Sequence, residues 1–113
     1  MRIEFPRGDS YERGFLMKDR STGQTVTEQF DQIYFTVKTN ADDTDFLFQK
    51  RMTDGGITND GDGHYTLHIL PEDTNGLSFR DYDCDIEFKK GEMKRTFYGT
   101  MKLTREVTHQ GNE

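Results

Sequence analysis

A run of strict alternation between Arg80 and Lys89 constrains the fold more than any other feature of the chain. It interleaves two sets of side chains: Tyr82, Cys84, Ile86 and Phe88 in one, and Asp81, Asp83, Asp85 and Glu87 in the other. Successive side chains of a β-strand point to opposite faces, so the run predicts a strand with the first set in the core and the carboxylates in solvent. A slip by one residue would bury four carboxylates, which specifies the register.

Composition extends the β preference to the whole chain. One alanine against 14 threonines favours strands over helices, and 113 residues are the length of one domain. Hydrophobic residues make up only 31%, so nine phenylalanines and five tyrosines must provide much of the buried area. We therefore predict a single all-β domain over residues 1–108, followed by a short polar tail, 109–113.

Further alternating segments, bounded by Gly, Asn, Asp or Pro, predict a sandwich of about seven antiparallel strands. Gln32–Lys38 directs Phe35 to the core, and 93–105 directs Phe97 there. Arg95 shares the inward parity of Phe97, so it must lie beyond the rim of the core or extend its charged end into solvent.

Two hairpins are predicted from turn residues. Asp19–Gly23 is expected to join Tyr11–Lys18 to the threonine-rich run around Val26. A turn with Lys90 and Gly91 at its tip would set Glu87 directly opposite Lys94, a cross-strand pair that contributes roughly 0.2–1 kcal/mol.

Charge and cysteine usage limit the partners. Cys84 is the single cysteine, so no intramolecular disulfide is predicted. The chain shows neither a signal peptide nor an apolar stretch of membrane-spanning length, so we expect synthesis in the cytoplasm and no membrane partner. A net charge of -6 disfavours nucleic acid, whose phosphates require a positive face.

The loop 53–63 carries the candidate metal ligands. Its Asp and Gly residues do not match an EF-hand, because Thr58 and Ile69 fall where acidic ligands are required. A different calcium site formed by Asp54, Asp60 and Asp62 is the alternative to a simple Asp/Gly turn. No cofactor is predicted.

The carboxylate row of 81–87 is also the strongest candidate for catalysis, since glycosidases use paired carboxylates. No desolvating pocket is evident around it, and no nucleophile motif surrounds Cys84. We therefore predict no enzymatic activity and no catalytic residue, and treat Asp81, Asp83, Asp85 and Glu87, with Tyr98 on the next strand, as a candidate interaction face. Arg7-Gly8-Asp9 is interpreted as a turn in which Gly8 adopts a positive φ.

One local pattern resembles the approach to strand F of immunoglobulin-like domains. Pro71-Glu72-Asp73-Thr74 and Leu77 precede Asp81-Tyr82-Asp83-Cys84, so a tyrosine stands two residues before the cysteine. The resemblance implies that the Tyr82 hydroxyl ties down the corner before this strand. The chain has no tryptophan and no second cysteine, so the implied fold is an immunoglobulin-like β-sandwich without a disulfide.

A longer stretch, from Gly8 to about Thr108, resembles small proteins of Firmicutes phages and prophages, and more distantly the immunoglobulin-like N-terminal domain of phage upper-baseplate proteins. The matching pieces are Arg7-Gly8-Asp9 with Gly14-Phe15, Ile33-Tyr34-Phe35-Thr36-Val37, Phe48-Gln49-Lys50-Arg51, Gly63-His64-Tyr65-Thr66-Leu67, Pro71-Glu72-Asp73-Thr74 with Leu77, Tyr82 to Glu87, and Glu106-Val107-Thr108.

This resemblance implies a non-enzymatic structural or assembly module that acts through protein–protein contacts. The expected partners are other phage structural proteins or further copies of the chain, forming a homo-oligomer, and the expected location extends from the cytoplasm to the virion. The alternative is a ligand-binding β-sandwich of the carbohydrate-binding type, which would use Tyr34, Tyr98 and the Asp-rich loops.

Overall fold

A computed structural model describes residues 1–26 and 29–106, which form two β-sheets packed face to face around one core. The predicted tail, 109–113, and the last two residues of the predicted domain lie outside the described residues. The elements are β1 (Arg2–Pro6), β2 (Tyr11–Leu16), β3 (Gln32–Lys38), β4 (Phe48–Arg51), β5 (Ile57–Gly61), β6 (His64–Ile69), α1 (Pro71–Thr74), β7 (Asp81–Lys90) and β8 (Met93–Thr104).

The sheet topology is that of an immunoglobulin-like sandwich, as predicted. The larger sheet has the strand order β1-β8-β7-β3-β4, and the smaller has the order β2-β6-β5. Strands β2, β6 and β5 therefore take the places of B, E and D, and β8, β7 and β3 those of G, F and C, with β4 added beside C. The prediction of antiparallel strands throughout is corrected at one pairing, because β1 and β8 run parallel, while the other pairings are antiparallel.

Strands β3 and β7 form the centre of the larger sheet, and their alternation is confirmed. Phe35 of β3 is fully buried and lies opposite Ile86 of β7. The other inward residues of β7 are also buried: Tyr82, Cys84 and Phe88. Phe88 makes ring contacts with Phe30, at a centroid distance of 5.1 Å, and with Tyr65 of the smaller sheet, at 6.4 Å, so aromatic packing joins the two sheets.

The prediction that Phe97 belongs to the core is correct for its face and wrong for its burial. Phe97 lies opposite Ile86 on the inner face of the larger sheet and contacts Phe88 edge to face at 5.9 Å. It nevertheless remains 44% exposed. Its ring is only partly covered because, among residues 1–26 and 29–106, no strand lies beside β2 to extend the smaller sheet over this part of β8.

The predicted register of the β7–β8 hairpin is also corrected. Lys90 pairs with Met93, so the tip consists of Gly91 and Glu92, and Glu87 lies opposite Thr96 rather than Lys94. Gly91 has a φ of 58°, a conformation that glycine adopts without strain. Lys94 and Glu87 still form an ion pair across the strands although they are not directly opposite, with Lys94 Nζ 3.6 Å from a Glu87 carboxylate oxygen.

The predicted hairpin between Tyr11–Lys18 and the run around Val26 forms only next to its turn. The Asp19–Gly23 turn brings Lys18 and Thr25 together in an isolated antiparallel bridge, and the amide of Val26 donates to the carbonyl of Met17 at 2.9 Å. Strand β2 itself pairs with β6 along its whole length. Val26 is the only large apolar residue of that run, so the run could not share the burial of β2 as a regular partner strand.

The corner between β6 and β7 holds the sandwich together at one end. The Tyr82 hydroxyl donates a 2.8 Å hydrogen bond to the carbonyl of Ser78, which is the contact implied by the resemblance to strand F. Helix α1 is a single turn within this corner, and its buried Thr74 accepts a 2.8 Å hydrogen bond from the amide of Gly8.

The Arg7-Gly8-Asp9 segment is a turn, as predicted. Gly8 has a φ of 82°. The Arg7 guanidinium donates to the carbonyl of Leu77 at 3.2 Å and forms a 3.0 Å ion pair with Glu106. It also lies 4.2 Å from the centre of the Phe79 ring. Because Arg7 is bound to the domain itself, it is not displayed as a free recognition side chain.

Candidate functional site

The outer face of the five-stranded sheet carries the candidate interaction residues. The carboxylates of β7, namely Asp81, Asp83, Asp85 and Glu87, form a central acidic column on this face. Lysines flank the column, because Lys102 of β8 pairs with Asp81 and Lys38 of β3 pairs with Asp83. The predicted outward orientation of the row is confirmed.

Tyr98 of β8 lies beside Asp85 on the same face and is 75% exposed, the most exposed of the large hydrophobic side chains among the described residues. A shallow cavity of about 270 Å³ lies next to it, lined mainly by Thr36, Lys38, Asp83 and Asp85. The structure thus brings Tyr98 together with two of the four predicted acidic residues.

The bend between β3 and β4 forms one wall of this cavity. The amide of Ala41 donates to a carboxylate oxygen of Asp83 at 2.7 Å. Lys38 Nζ donates to the carbonyl of Asp43 at 2.8 Å. These two contacts hold the bend against the sheet, so that the bend and the acidic column together form a concave surface.

Burial raises the pKa of Asp85 above its ordinary value, and the neighbouring Glu87 raises it further, while Lys38 and Lys94 oppose the shift. Asp81 and Asp83 are exposed, whereas Asp85 and Glu87 are partly buried, so the row has two environments along one sheet face. The arrangement offers hydrogen-bond acceptors, charge and a tyrosine ring to a binding partner.

The calcium candidates are not assembled into a site. Asp54 accepts hydrogen bonds from the amides of Arg51 and Gly56, at 3.2 and 2.9 Å. Asp60 accepts from the hydroxyl of Thr66 at 2.6 Å, and Asp62 occupies a turn position with a φ of 53°. In the parts of the chain that the structure describes, no three His, Cys, Asp or Glu residues are grouped to hold a metal ion.

Cys84 lies on the inner face of β7 and is buried. Burial raises its pKa to about 11, and the nearby Asp85 carboxylate adds to the shift. At neutral pH the side chain is therefore a protonated thiol, which is a poor nucleophile. Its contribution is to packing between the sheets.

Sequence reasoning missed an open groove between the two sheets, on the side of β2 and β8. The groove encloses about 620 Å³, and its apolar walls include Phe15, Leu16, Met17, Ile86, Phe88 and Phe97. One signal for it was present in the sequence: Arg95 shares the inward parity of Phe97, which indicates that the core ends before that part of β8.

Comparison with protein-family models, with curated proteins and with solved structures returned no match. No helix within residues 1–26 and 29–106 is long and apolar enough to cross a bilayer. Strand order and the contact between Tyr82 and Ser78 together define the class of the chain as an immunoglobulin-like β-sandwich.

Proposed function

We propose that the protein is a non-enzymatic structural or assembly module of a phage or prophage, and that it acts through protein–protein contacts on the outer face of the five-stranded sheet. The main observation behind the proposal is Tyr98, a 75% exposed tyrosine beside a column of carboxylates. Tyrosines with such exposure are enriched at protein interfaces, where the ring is buried by the partner.

The charge pattern of the outer face supports self-association. The acidic column of β7 adjoins a column on β8 that carries two lysines: Lys102 lies opposite Asp81, and Lys94 lies near Glu87. A two-fold axis parallel to the strands, between the two columns, would place the lysines of each copy against the carboxylates of the other. Such isologous contacts are the commonest form of self-association.

The phage context rests on the resemblance of residues 8–108 to phage and prophage proteins. That resemblance implies an immunoglobulin-like sandwich, which is the fold of this chain. A fold alone does not define a function, so the proposal depends on the outer face and is tested there.

The test is the solution mass of the full chain, measured by light scattering over a range of concentrations. We expect a discrete oligomer for the wild type and dissociation in Tyr98→Ser. Leu70→Ser is the matched control, because Leu70 is also exposed, at 45%, but lies between β6 and α1. A strict monomer that also fails to bind products of neighbouring genes would overturn the proposal.

The cavity beside Tyr98 favours a second candidate, a carbohydrate-binding module. Its lining combines a tyrosine ring with the carboxylates of Asp83 and Asp85 and the ammonium of Lys38, groups that can stack on a sugar and bind its hydroxyls. Titration with a panel of mono- and disaccharides, followed by NMR, would favour this candidate if amide shifts were confined to these residues. A lack of shifts with every sugar would exclude it.

A further inference from the structure

The groove between β2 and β8 is bordered by two strand edges beside which residues 1–26 and 29–106 place no strand. Strand β1 pairs with β8 only from Thr100 to Thr104, and the Met1 amino group reaches the carbonyl of Tyr98. In the described part of the chain, no strand lies beside the remaining stretch, Met93–Phe97, on the side away from β7. That stretch extends for about 17 Å at roughly 3.4 Å per residue.

The opposite wall of the groove has the same property. β2 pairs with β6 on one side, and its other side faces no strand among residues 1–26 and 29–106. Near its middle, the Arg13 guanidinium donates to the carbonyl of Arg2 at 3.1 Å, which closes the gap where β1 begins. Beyond that contact, β2 and the first half of β8 flank an opening that no strand of the described part of the chain fills.

The walls of the opening are apolar and partly exposed. Phe97 is 44% exposed and Leu16 is 37% exposed. Their location at an unpaired edge distinguishes them from isolated surface residues, because a strand added there would bury them together. The cavity of about 620 Å³ lies within the size range of ligand pockets.

Charge further limits what can occupy the groove. Among the lining residues, the charged side chains are Arg13 and Lys18, and both are cations. An occupant with apolar groups and at least one carboxylate would match this lining. Along Met93–Phe97, no strand of the described residues pairs with the backbone on the side away from β7. This edge favours a polypeptide over a lipid, because a lipid tail cannot form the ladder of hydrogen bonds that a strand forms.

We propose that the groove accepts an extended segment of a partner polypeptide, which adds as a strand beside Met93–Phe97 and inserts alternate apolar side chains between the sheets. Arg13 and Lys18 are five residues apart along the extended wall of the groove, about 17 Å at roughly 3.3 Å per residue, so an acidic residue at each end of the segment meets one of them. The groove opens on the inner side of the larger sheet, whereas the proposed function rests on the outer face, and Tyr98 borders both. The two proposals are therefore tested at different residues, the groove at Phe97 and the outer face at Tyr98.

The test uses the full chain and a panel of labelled peptides of about seven residues, with Val, Ile, Leu or Phe at alternate positions, threonine between them and glutamate at both ends. Binding is measured by fluorescence anisotropy, and hydrogen exchange locates the site. We expect at least one peptide to bind and to slow exchange at backbone amides within Met93–Phe97. The same peptide with N-methylated backbone amides, or with lysine in place of glutamate, should bind at least about tenfold more weakly.

Phe97→Glu should weaken peptide binding by at least about tenfold. Phe46→Glu is the matched control, since it introduces the same change at a similarly exposed phenylalanine outside the groove, and it should bind like the wild type. The proposal is overturned if no peptide of the panel binds, if N-methylated peptide binds equally well, or if laurate displaces the peptide and alone binds more tightly.

Discussion

The hydroxyl of Tyr82 donates a 2.8 Å hydrogen bond to the backbone carbonyl of Ser78, four residues earlier in the chain. Tyr82 is 3% exposed, and its ring belongs to the core. The bond therefore connects the segment that follows α1 to the beginning of the central strand β7. It satisfies the hydroxyl of a buried side chain, which would be costly to leave without a partner.

Tyr82→Phe removes this hydroxyl and keeps the ring. We expect a loss of about 0.5–1.5 kcal/mol in the free energy of unfolding, the net value of one such hydrogen bond. Urea denaturation checks the value. Tyr98→Phe removes an exposed hydroxyl from the same type of residue and should leave stability unchanged. Equal effects of the two substitutions would show that the bond to Ser78 contributes nothing.

The ion pair between Lys50 of β4 and Asp73 of α1 is the most buried one described, with side chains 12% and 15% exposed and a separation of 2.5 Å. The same Asp73 oxygen accepts a 2.8 Å hydrogen bond from the amide of Leu70. Lys50→Met leaves this carboxylate without its cation, and we expect a loss of about 1–3 kcal/mol in unfolding free energy.

Lys94→Met is the control for Lys50→Met. Lys94 forms a 3.6 Å pair with Glu87, but its side chain is 59% exposed, and exposed pairs contribute only about 0–1 kcal/mol. Thermal denaturation of both variants at low and high salt provides the comparison. A smaller effect at Lys50 than at Lys94 would contradict the structural role assigned to the pair with Asp73.

Gly63 lies in the β5–β6 turn with a φ of 83°, and an added Cβ would approach the carbonyl oxygen of Val26 to 2.6 Å. Gly63→Ala should therefore lower the unfolding free energy by about 2–4 kcal/mol, from backbone strain and a clash combined. Gly55 has the same φ, but nothing lies within 4 Å of its added Cβ. Gly55→Ala should cost only about 1–2 kcal/mol, from strain alone.

Chemical denaturation of the two glycine variants measures the difference. If Gly63→Ala and Gly55→Ala proved equally destabilising, the contact between the β5–β6 turn and Val26 would carry no energetic weight. An equal effect would also indicate that the segment around Val26 moves away from the added methyl group at little cost in free energy.

Cys84 should be unreactive in the folded protein. It is buried, and burial raises its pKa to about 11, so both access and thiolate are lacking at neutral pH. We expect a disulfide reagent to label the native protein slowly and the urea-unfolded protein at once. Rapid labelling under native conditions would show that the sheets separate far more readily than their packing indicates.

Asp85 predicts a pH dependence of stability. Burial raises its pKa in the folded state above the ordinary value of 3.8, so the folded protein holds the proton more tightly than the unfolded chain. The stabilisation that comes from protonated Asp85 is therefore fully present below the pKa that Asp85 has in the unfolded chain. It is lost as the pH rises through the pKa that Asp85 has in the folded protein. Asp85→Asn should be more stable than the wild type at neutral pH, and the difference should disappear in acid.

Denaturation of Asp85→Asn at neutral and acidic pH tests the sign of this effect. Asp81→Asn, at an exposed position of the same row, controls for the general loss of one negative charge. A destabilised Asp85→Asn at neutral pH would mean that contacts with Lys38 and Lys94 outweigh the burial of the carboxylate.

The central strands could be predicted from sequence because their side chains alternate without exception. In β7, a shift of register would bury a carboxylate at each second position, so only one register is favourable. The corner before β7 was indicated by the resemblance of Tyr82 and its neighbours to the approach to strand F. The outward position of Tyr98 followed in the same way, from its parity with Lys94 and Lys102 in β8.

The remaining features depend on contacts between distant segments. Parity places Phe97 on the inner face, but its exposure depends on how far β2 reaches over β8 in the other sheet. The groove between the sheets also results from the limited extent of β2 over β8. Likewise, the loop residues Asp54 and Asp60 contain the right ligand atoms for calcium, but each is engaged by nearby amides or hydroxyls, which composition does not reveal.

The parallel pairing of β1 with β8 has a mechanical consequence. Arg2 lies beside Thr100 and Pro6 beside Thr104, so the start of β1 and the end of β8 point to opposite ends of their shared ladder. A force applied between the two ends of the domain would slide these strands past each other. Their hydrogen bonds would then be loaded together in shear, and the domain would resist tension instead of unzipping one bond at a time.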